Sequence, residues 1–125
     1  MKKRSDQYDG FVTGASVWVG TEEWDQPLPA TVESVSVRTS GGGTVADSYT
    51  LLDEDGDKLG TYDAYYVRET KREILILMMK MQQETINEIE TQLQDATDRL
   101  WKLNMIYDEC LDEEINKMID NGELK

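Results

Sequence analysis

Residues 70–121 read TKREILILMMKMQQETINEIETQLQDATDRLWKLNMIYDECLDEEINKMIDN, a stretch with neither proline nor glycine. Thr70 and Glu73 form a capping-box pattern, in which a hydroxyl and a carboxylate satisfy backbone N–H groups at a helix start. Asn121 and Gly122 supply the stop signal expected just past a helix end. The stretch therefore predicts one long α-helix that begins directly after Thr70.

Apolar residues recur along this helix at alternating steps of four and three residues, which is the a/d spacing of a coiled coil. Gln82 is the one polar exception. A stripe of roughly 50 Å, at about 1.5 Å per residue, is longer than a small β-domain can cover, so we predict that copies of the chain associate along it. This stripe, which we call the seam, consists of Leu75, Met79, Ile86, Ile89, Leu93, Ala96, Leu100, Leu103, Tyr107 and Cys110.

Two alternatives to a continuous helix remain open. After Cys110 the apolar pattern moves to Leu111 and Ile115, so the helix either adjusts mildly or breaks near Asp108. A helical hairpin that turns at residues 95–98 would instead let a monomer cover the seam, although no residue there is a helix breaker.

Before the helix, the sequence predicts an α+β fold in which five short strands form a small barrel. Residues 1–10 are expected to be a flexible lead-in, residues 11–69 the barrel, residues 70–121 the coiled-coil region and residues 122–125 a tail. A change of alternation at Glu33 and Ser34 predicts a bulge or a sharp twist, and a single helical turn is expected just before the last strand. The strands are predicted at residues 17–19, 30–38, 44–52, 58–62 and 66–68.

The run VWV at residues 17–19, followed by PATV at residues 29–32, resembles the opening of the N-terminal barrel of myosin heavy chains. Residues 49–66 fit its remaining strands. The resemblance extends over residues 11–68 and implies an SH3-like small barrel, the group that includes Tudor and KOW domains, whose mouth often binds peptides or modified side chains. The whole layout is also similar to short uncharacterised proteins of tailed phages.

Charge excludes several classes of partner. The chain has 13 basic and 26 acidic residues and a net charge of −13. No basic stripe is available to hold phosphate, so we expect neither direct nucleic-acid binding nor binding to anionic membranes. No apolar run is long enough for a signal peptide or a membrane span, which predicts a cytoplasmic protein, in the host cytoplasm if the chain is phage-encoded.

Catalytic groups are scarce, and we expect no enzyme, no catalytic residue, no cofactor and no metal. Histidine is absent, and Cys110 has no neighbour that would make it a nucleophile. We interpret Cys110 as a reduced seam residue, with a disulfide between parallel copies as the alternative. Asp53, Asp55 and Asp57 are similar to the start of an EF-hand loop, but Gly56 is misplaced for one, which predicts a hairpin turn.

Aromatic residues are the candidates for contact with a partner. Trp24 lies in a polar loop beside Pro27 with no evident core to occupy, so we predict a partner contact there; packing on the barrel or the helix is the alternative. The SH3-like resemblance implies a second possibility, a Tudor-type cage of Trp18, Tyr62 and Tyr65 with other tyrosines, which would hold a cation by cation–π attraction. The predicted partner-binding residues are Trp18, Trp24, Pro27, Tyr62 and Tyr65.

Together these observations predict a non-enzymatic interaction module, a small barrel displayed on a homo-oligomeric coiled coil that engages a protein partner. One alternative is an acidic inhibitor, possibly phage-encoded, that occupies a basic or nucleic-acid-binding groove of a host or defence protein. A structural component of a virion is the third.

Overall fold

A computed structural model describes residues 2–120 and 122. Five antiparallel strands are followed by one long helix, which confirms the predicted α+β fold. The elements in chain order are β1 (Ser16–Val19), β2 (Leu28–Ser40), β3 (Gly43–Leu52), β4 (Lys58–Asp63), a 3-10 turn (Ala64–Tyr66), β5 (Val67–Arg68) and α1 (Lys71–Asp120).

The strands form one sheet in the order β4-β3-β2-β1-β5. β1 lies between β2 and β5, with Val17 opposite Ala30 and Val19 opposite Val67. The predicted closure into a barrel is wrong, because β4 and β5 are the two edges of the sheet and do not pair with each other. β5 is only two residues long, and both of its residues pair with β1.

Strand β2 bends where the sequence predicts it. The pairing of β2 with β3 shifts register between Val32 and Ser34, so the bulge predicted at Glu33 is confirmed. The core of the β-domain is a cluster of apolar side chains, in which Val17, Val19, Val32 and Leu51 are fully buried.

The acidic stretch between β3 and β4 is a hairpin turn, as predicted. One carboxylate oxygen of Asp53 accepts the backbone N–H groups of Asp55 and Asp57, at 2.9 and 3.0 Å. Gly56 has a φ of +85°, a conformation that L side chains rarely adopt. The Asp53 carboxylate therefore stabilises the turn in which it lies.

Residues just before β1, in the segment predicted as a lead-in, form backbone hydrogen bonds with the sheet. The backbone N–H of Asp9 donates to Thr44 at 2.9 Å, and the N–H of Ala46 donates to Asp9 at 2.9 Å. Phe11 follows and is buried in the core. These backbone hydrogen bonds place the segment around Asp9 beside β3 in the sheet. The polar composition of residues 1–10 alone does not indicate this pairing.

Helix α1 runs through 50 residues from Lys71 to Asp120. The Thr70 hydroxyl accepts the N–H of Glu73 at 3.2 Å, which confirms the predicted helix start. Because α1 is continuous, both alternatives, a break near Asp108 and a hairpin at residues 95–98, are wrong. Gly122 has a φ of +73° and donates to Ile119 at 3.0 Å, whereas Asn121, the other half of the predicted stop signal, lies outside the described residues.

The chain divides into two compact units, Met1–Gln83 and Glu84–Lys125. The first unit contains the sheet and the first turns of α1. The second contains the rest of α1, where every described residue is exposed. Within the described part of the chain, no helix combines the length and the apolar character that crossing a membrane requires.

Candidate interaction surfaces

The first turns of α1 pack on the sheet through four buried residues, Ile74, Leu77, Met78 and Met81. Their spacing of three, four and seven residues places them on one side of the helix, which we call the docking face. The helix approaches the sheet closely: a Cβ on Gly20 would lie 2.5 Å from the Met78 sulfur. Sequence reasoning missed this face, although its spacing is visible in the sequence.

The seam is a separate stripe that the sheet does not cover. Leu75 and Met79 each follow a docking-face residue directly, and their side chains are 39% and 63% exposed. Farther along α1, Leu93 and Leu103 are 66% and 63% exposed. Ala96 and Cys110 are exposed too. All the apolar residues of the predicted seam are therefore accessible to another molecule.

The apolar surface widens near the middle of the second unit. Between residues 100 and 107 the only polar side chains are Lys102 and Asn104. Trp101 is 64% exposed, and the neighbouring Met105 and Ile106 are exposed as well. A contiguous apolar surface of this kind is typical of an interaction site, because most monomers do not expose one.

Charge is distributed unevenly along α1. Residues 71–80 carry three basic side chains, Lys71, Arg72 and Lys80, against one acidic side chain. Residues 108–120 carry six acidic side chains against one basic, Lys117. The start of the helix is therefore positive and its end strongly negative.

Trp24, a predicted partner-binding residue, packs against hydrophobic residues of the chain itself. Its ring packs edge-on against Tyr62, with centroids 5.6 Å apart, and it contacts the hydrophobic clusters of both the sheet and the docking face. Pro27 is buried in the same loop. The Gln82 side chain donates to the Glu22 carbonyl at 2.6 Å and ties this loop to α1. Trp24 is only partly buried, and its contact with a partner stays a prediction.

The other predicted aromatic residues are paired with their own neighbours. Trp18 packs against the docking face, and the Lys71 ammonium lies 5.5 Å from its ring centroid. Tyr65 packs edge-on against Tyr66, and the Arg68 guanidinium lies 5.5 Å from the Tyr65 ring. Cations of the chain itself therefore already lie over two of the rings proposed for a cage.

A groove of about 530 Å³ lies on the first unit, and the only predicted partner-binding residue among those that line it is Tyr65. The Tyr49 hydroxyl lies beside it and accepts the N–H of Phe11 at 2.9 Å, and burial raises the pKa of Tyr49. Acidic residues line the groove as well, and Asp9 lies 3.5 Å from Arg4. Basic and aromatic side chains thus meet here from distant parts of the chain: Arg4, Phe11, Arg38, Tyr49, Tyr65 and Arg68.

In comparisons with protein families, with curated proteins and with solved structures, no match to this chain is found.

Proposed function

We propose that this chain is a non-enzymatic, homo-oligomeric protein-interaction module, in which a small SH3-like β-domain is carried on a coiled coil formed along the seam. The observation that carries the proposal is the exposure of the seam in Glu84–Lys125, where no other element of the described chain packs on it. Support for the SH3-like part is the order of five strands with a 3-10 turn before the last one.

Burial of the seam supplies the driving force for association. Complete burial of a leucine side chain is worth about 1.5–3 kcal/mol, and side chains such as Leu93 and Leu100 retain more than half of their surface. A second helix would remove that surface from water at each turn of the seam. The gain recurs over roughly ten positions and opposes the entropy lost on association.

Association would place two or more β-domains in one particle. Linked copies bind a multivalent partner more tightly than a single copy, because the second contact forms at a high effective concentration. A moderate affinity at each Trp24 loop or at each groove would then be sufficient for tight binding of such a partner.

The test compares two variants that each add two negative charges to α1. Leu93→Glu with Leu100→Glu places both charges in the seam, whereas Thr91→Glu with Gln94→Glu places them on the other side of the helix. We expect light scattering to give an oligomer for the wild type and the control variant and a monomer for the seam variant. A seam variant that keeps its helical circular dichroism and its oligomeric mass would contradict the proposal.

The excess acidic charge favours a second candidate, an acidic inhibitor that occupies a basic groove of another protein. A net charge of −13, with six acidic side chains in residues 108–120, would attract a basic cleft at long range. Affinity for such a partner should then fall steeply as the salt concentration rises. Binding to an isolated partner that is insensitive to salt would exclude this candidate.

A further inference from the structure

We propose that the second copy on the seam runs antiparallel to the first, with its midpoint between Ile89 and Leu93, so that two chains form a closed dimer. This inference rests on the proposed homo-oligomer and adds to it the number of copies, their orientation and their register.

The spacing of the seam permits this register. In an antiparallel pair, the numbers of two facing residues have a constant sum. A sum of 182 places Leu75 opposite Tyr107 of the second copy and Ile89 opposite Leu93 of the second copy. The ten heptad positions from Leu75 to Tyr107, Gln82 included, then all face another seam position.

Charge decides between the two orientations. A parallel dimer would place the positive residues 71–80 of both copies together, and the strongly negative residues 108–120 of both copies together. The antiparallel register separates the two acidic ends and brings Lys71 beside Glu113 of the second copy. Like charges on facing helices repel each other, so the difference between the two orientations accumulates over several positions.

The helix macrodipole favours the same orientation. At the positive end of α1, Lys71 and Arg72 outnumber Glu73, and in its last turns the acidic side chains outnumber Lys117. The net charge at each end therefore opposes the dipole of the helix. In the antiparallel pair, the acidic end of one helix lies near the positive end of the other. The unfavourable interaction within each chain is thus offset by a favourable one between chains.

Gln82 gives no support to a parallel pair. A polar residue in a heptad seam often fixes a parallel register by bonding to its own copy across the interface. Here the Gln82 side-chain amide is already bonded to the Glu22 carbonyl at 2.6 Å. Gln82, the one polar position of the seam, therefore forms its hydrogen bond within the first unit.

Disulfide cross-linking of the full chain distinguishes the orientations. Cys110 is the only cysteine. In a parallel dimer the two Cys110 sulfurs would face each other, whereas the antiparallel register separates them by roughly 55 Å. We expect mild oxidation to cross-link the wild type no faster than the monomeric Leu93→Glu, Leu100→Glu variant, and rapid wild-type cross-linking would overturn the proposal.

A positive test uses two single-cysteine variants, Leu75→Cys and Tyr107→Cys, each combined with Cys110→Ser. Oxidation of a mixture should give a disulfide between the two different variants, identified by its mass, and neither variant alone should cross-link. Self-cross-linking of either variant would contradict the orientation or the register. The same holds if the mixture has the mass of a dimer under reducing conditions but gives no mixed disulfide on oxidation. A monomeric wild type would refute the proposed oligomer itself, and this result can be distinguished from a dimer with another orientation or register.

Discussion

At the scale of single residues, Tyr49 shows how the N-terminal segment is attached to the sheet. It is buried, and its hydroxyl accepts the N–H of Phe11 at 2.9 Å, so one side chain of β3 satisfies a buried backbone donor from a distant segment. A buried donor that loses its acceptor costs about 1–3 kcal/mol, because water cannot replace the lost bond.

Replacement of Tyr49 by phenylalanine should therefore lower the free energy of unfolding of the β-domain by about 1–2 kcal/mol. Tyr65→Phe removes a hydroxyl from a more exposed ring and should change stability by less than about 0.5 kcal/mol. Urea unfolding of both variants measures the difference. Equal effects of the two substitutions would show that the Tyr49 hydrogen bond is not important.

The raised pKa of Tyr49 predicts a pH dependence at the same residue. Burial disfavours the phenolate, so the folded state keeps the proton to a higher pH than the unfolded chain, whose value is 10.0. The stabilisation is complete below pH 10 and decreases as the pH rises above it. We expect wild-type stability to fall more steeply above this pH than that of Tyr49→Phe, and parallel curves would contradict the assignment.

At the scale of elements, α1 has two apolar stripes with different tasks. The docking face packs on the sheet within Met1–Gln83, whereas the seam continues into Glu84–Lys125. Ile74 is completely buried and Leu93 is mostly exposed, although both are large aliphatic residues of the same helix. Substitutions in the two stripes should therefore affect different equilibria.

Ile74→Ala should destabilise the β-domain by about 2–4 kcal/mol, because it leaves a cavity between helix and sheet. Leu93→Ala should leave the stability of that domain nearly unchanged and weaken association of the chains instead. Urea unfolding followed by tryptophan fluorescence, in a Trp101→Phe background that reports only on Trp18 and Trp24, tests the first effect, and light scattering tests the second. A large loss of domain stability in Leu93→Ala would mean that the two stripes are not independent.

Sequence patterns identified those elements whose signals are local. The Thr70 cap, the alternation change at Glu33 and the turn at Gly56 each depend on a few neighbouring residues, and the structure contains all three. Trp24 was harder to interpret, because its environment depends on how α1 packs against the sheet. The apolar pattern of α1 likewise contains both stripes, and nothing local indicates which one meets the sheet. Closure of the sheet depends on whether distant edge strands pair, which their individual sequences do not reveal.

At the scale of the whole molecule, charge and apolar surface together determine how copies can combine. The antiparallel arrangement predicts that Lys71→Glu and Glu113→Lys each weaken the dimer by a few-fold, and that the double variant recovers most of the loss. Dissociation constants from a dilution series measure this cycle. In a parallel dimer, Glu113→Lys alone would not weaken association, because it would reduce the negative charge of the two acidic ends that this orientation brings together.

The most direct test of the central claim is sedimentation equilibrium of the unmodified chain over a wide range of concentrations. If the exposed seam drives self-association, the limiting mass should be twice the chain mass of 14.3 kDa and should decrease on dilution. A mass of 14.3 kDa at every concentration would contradict the claim, because the seam would then remain exposed in solution.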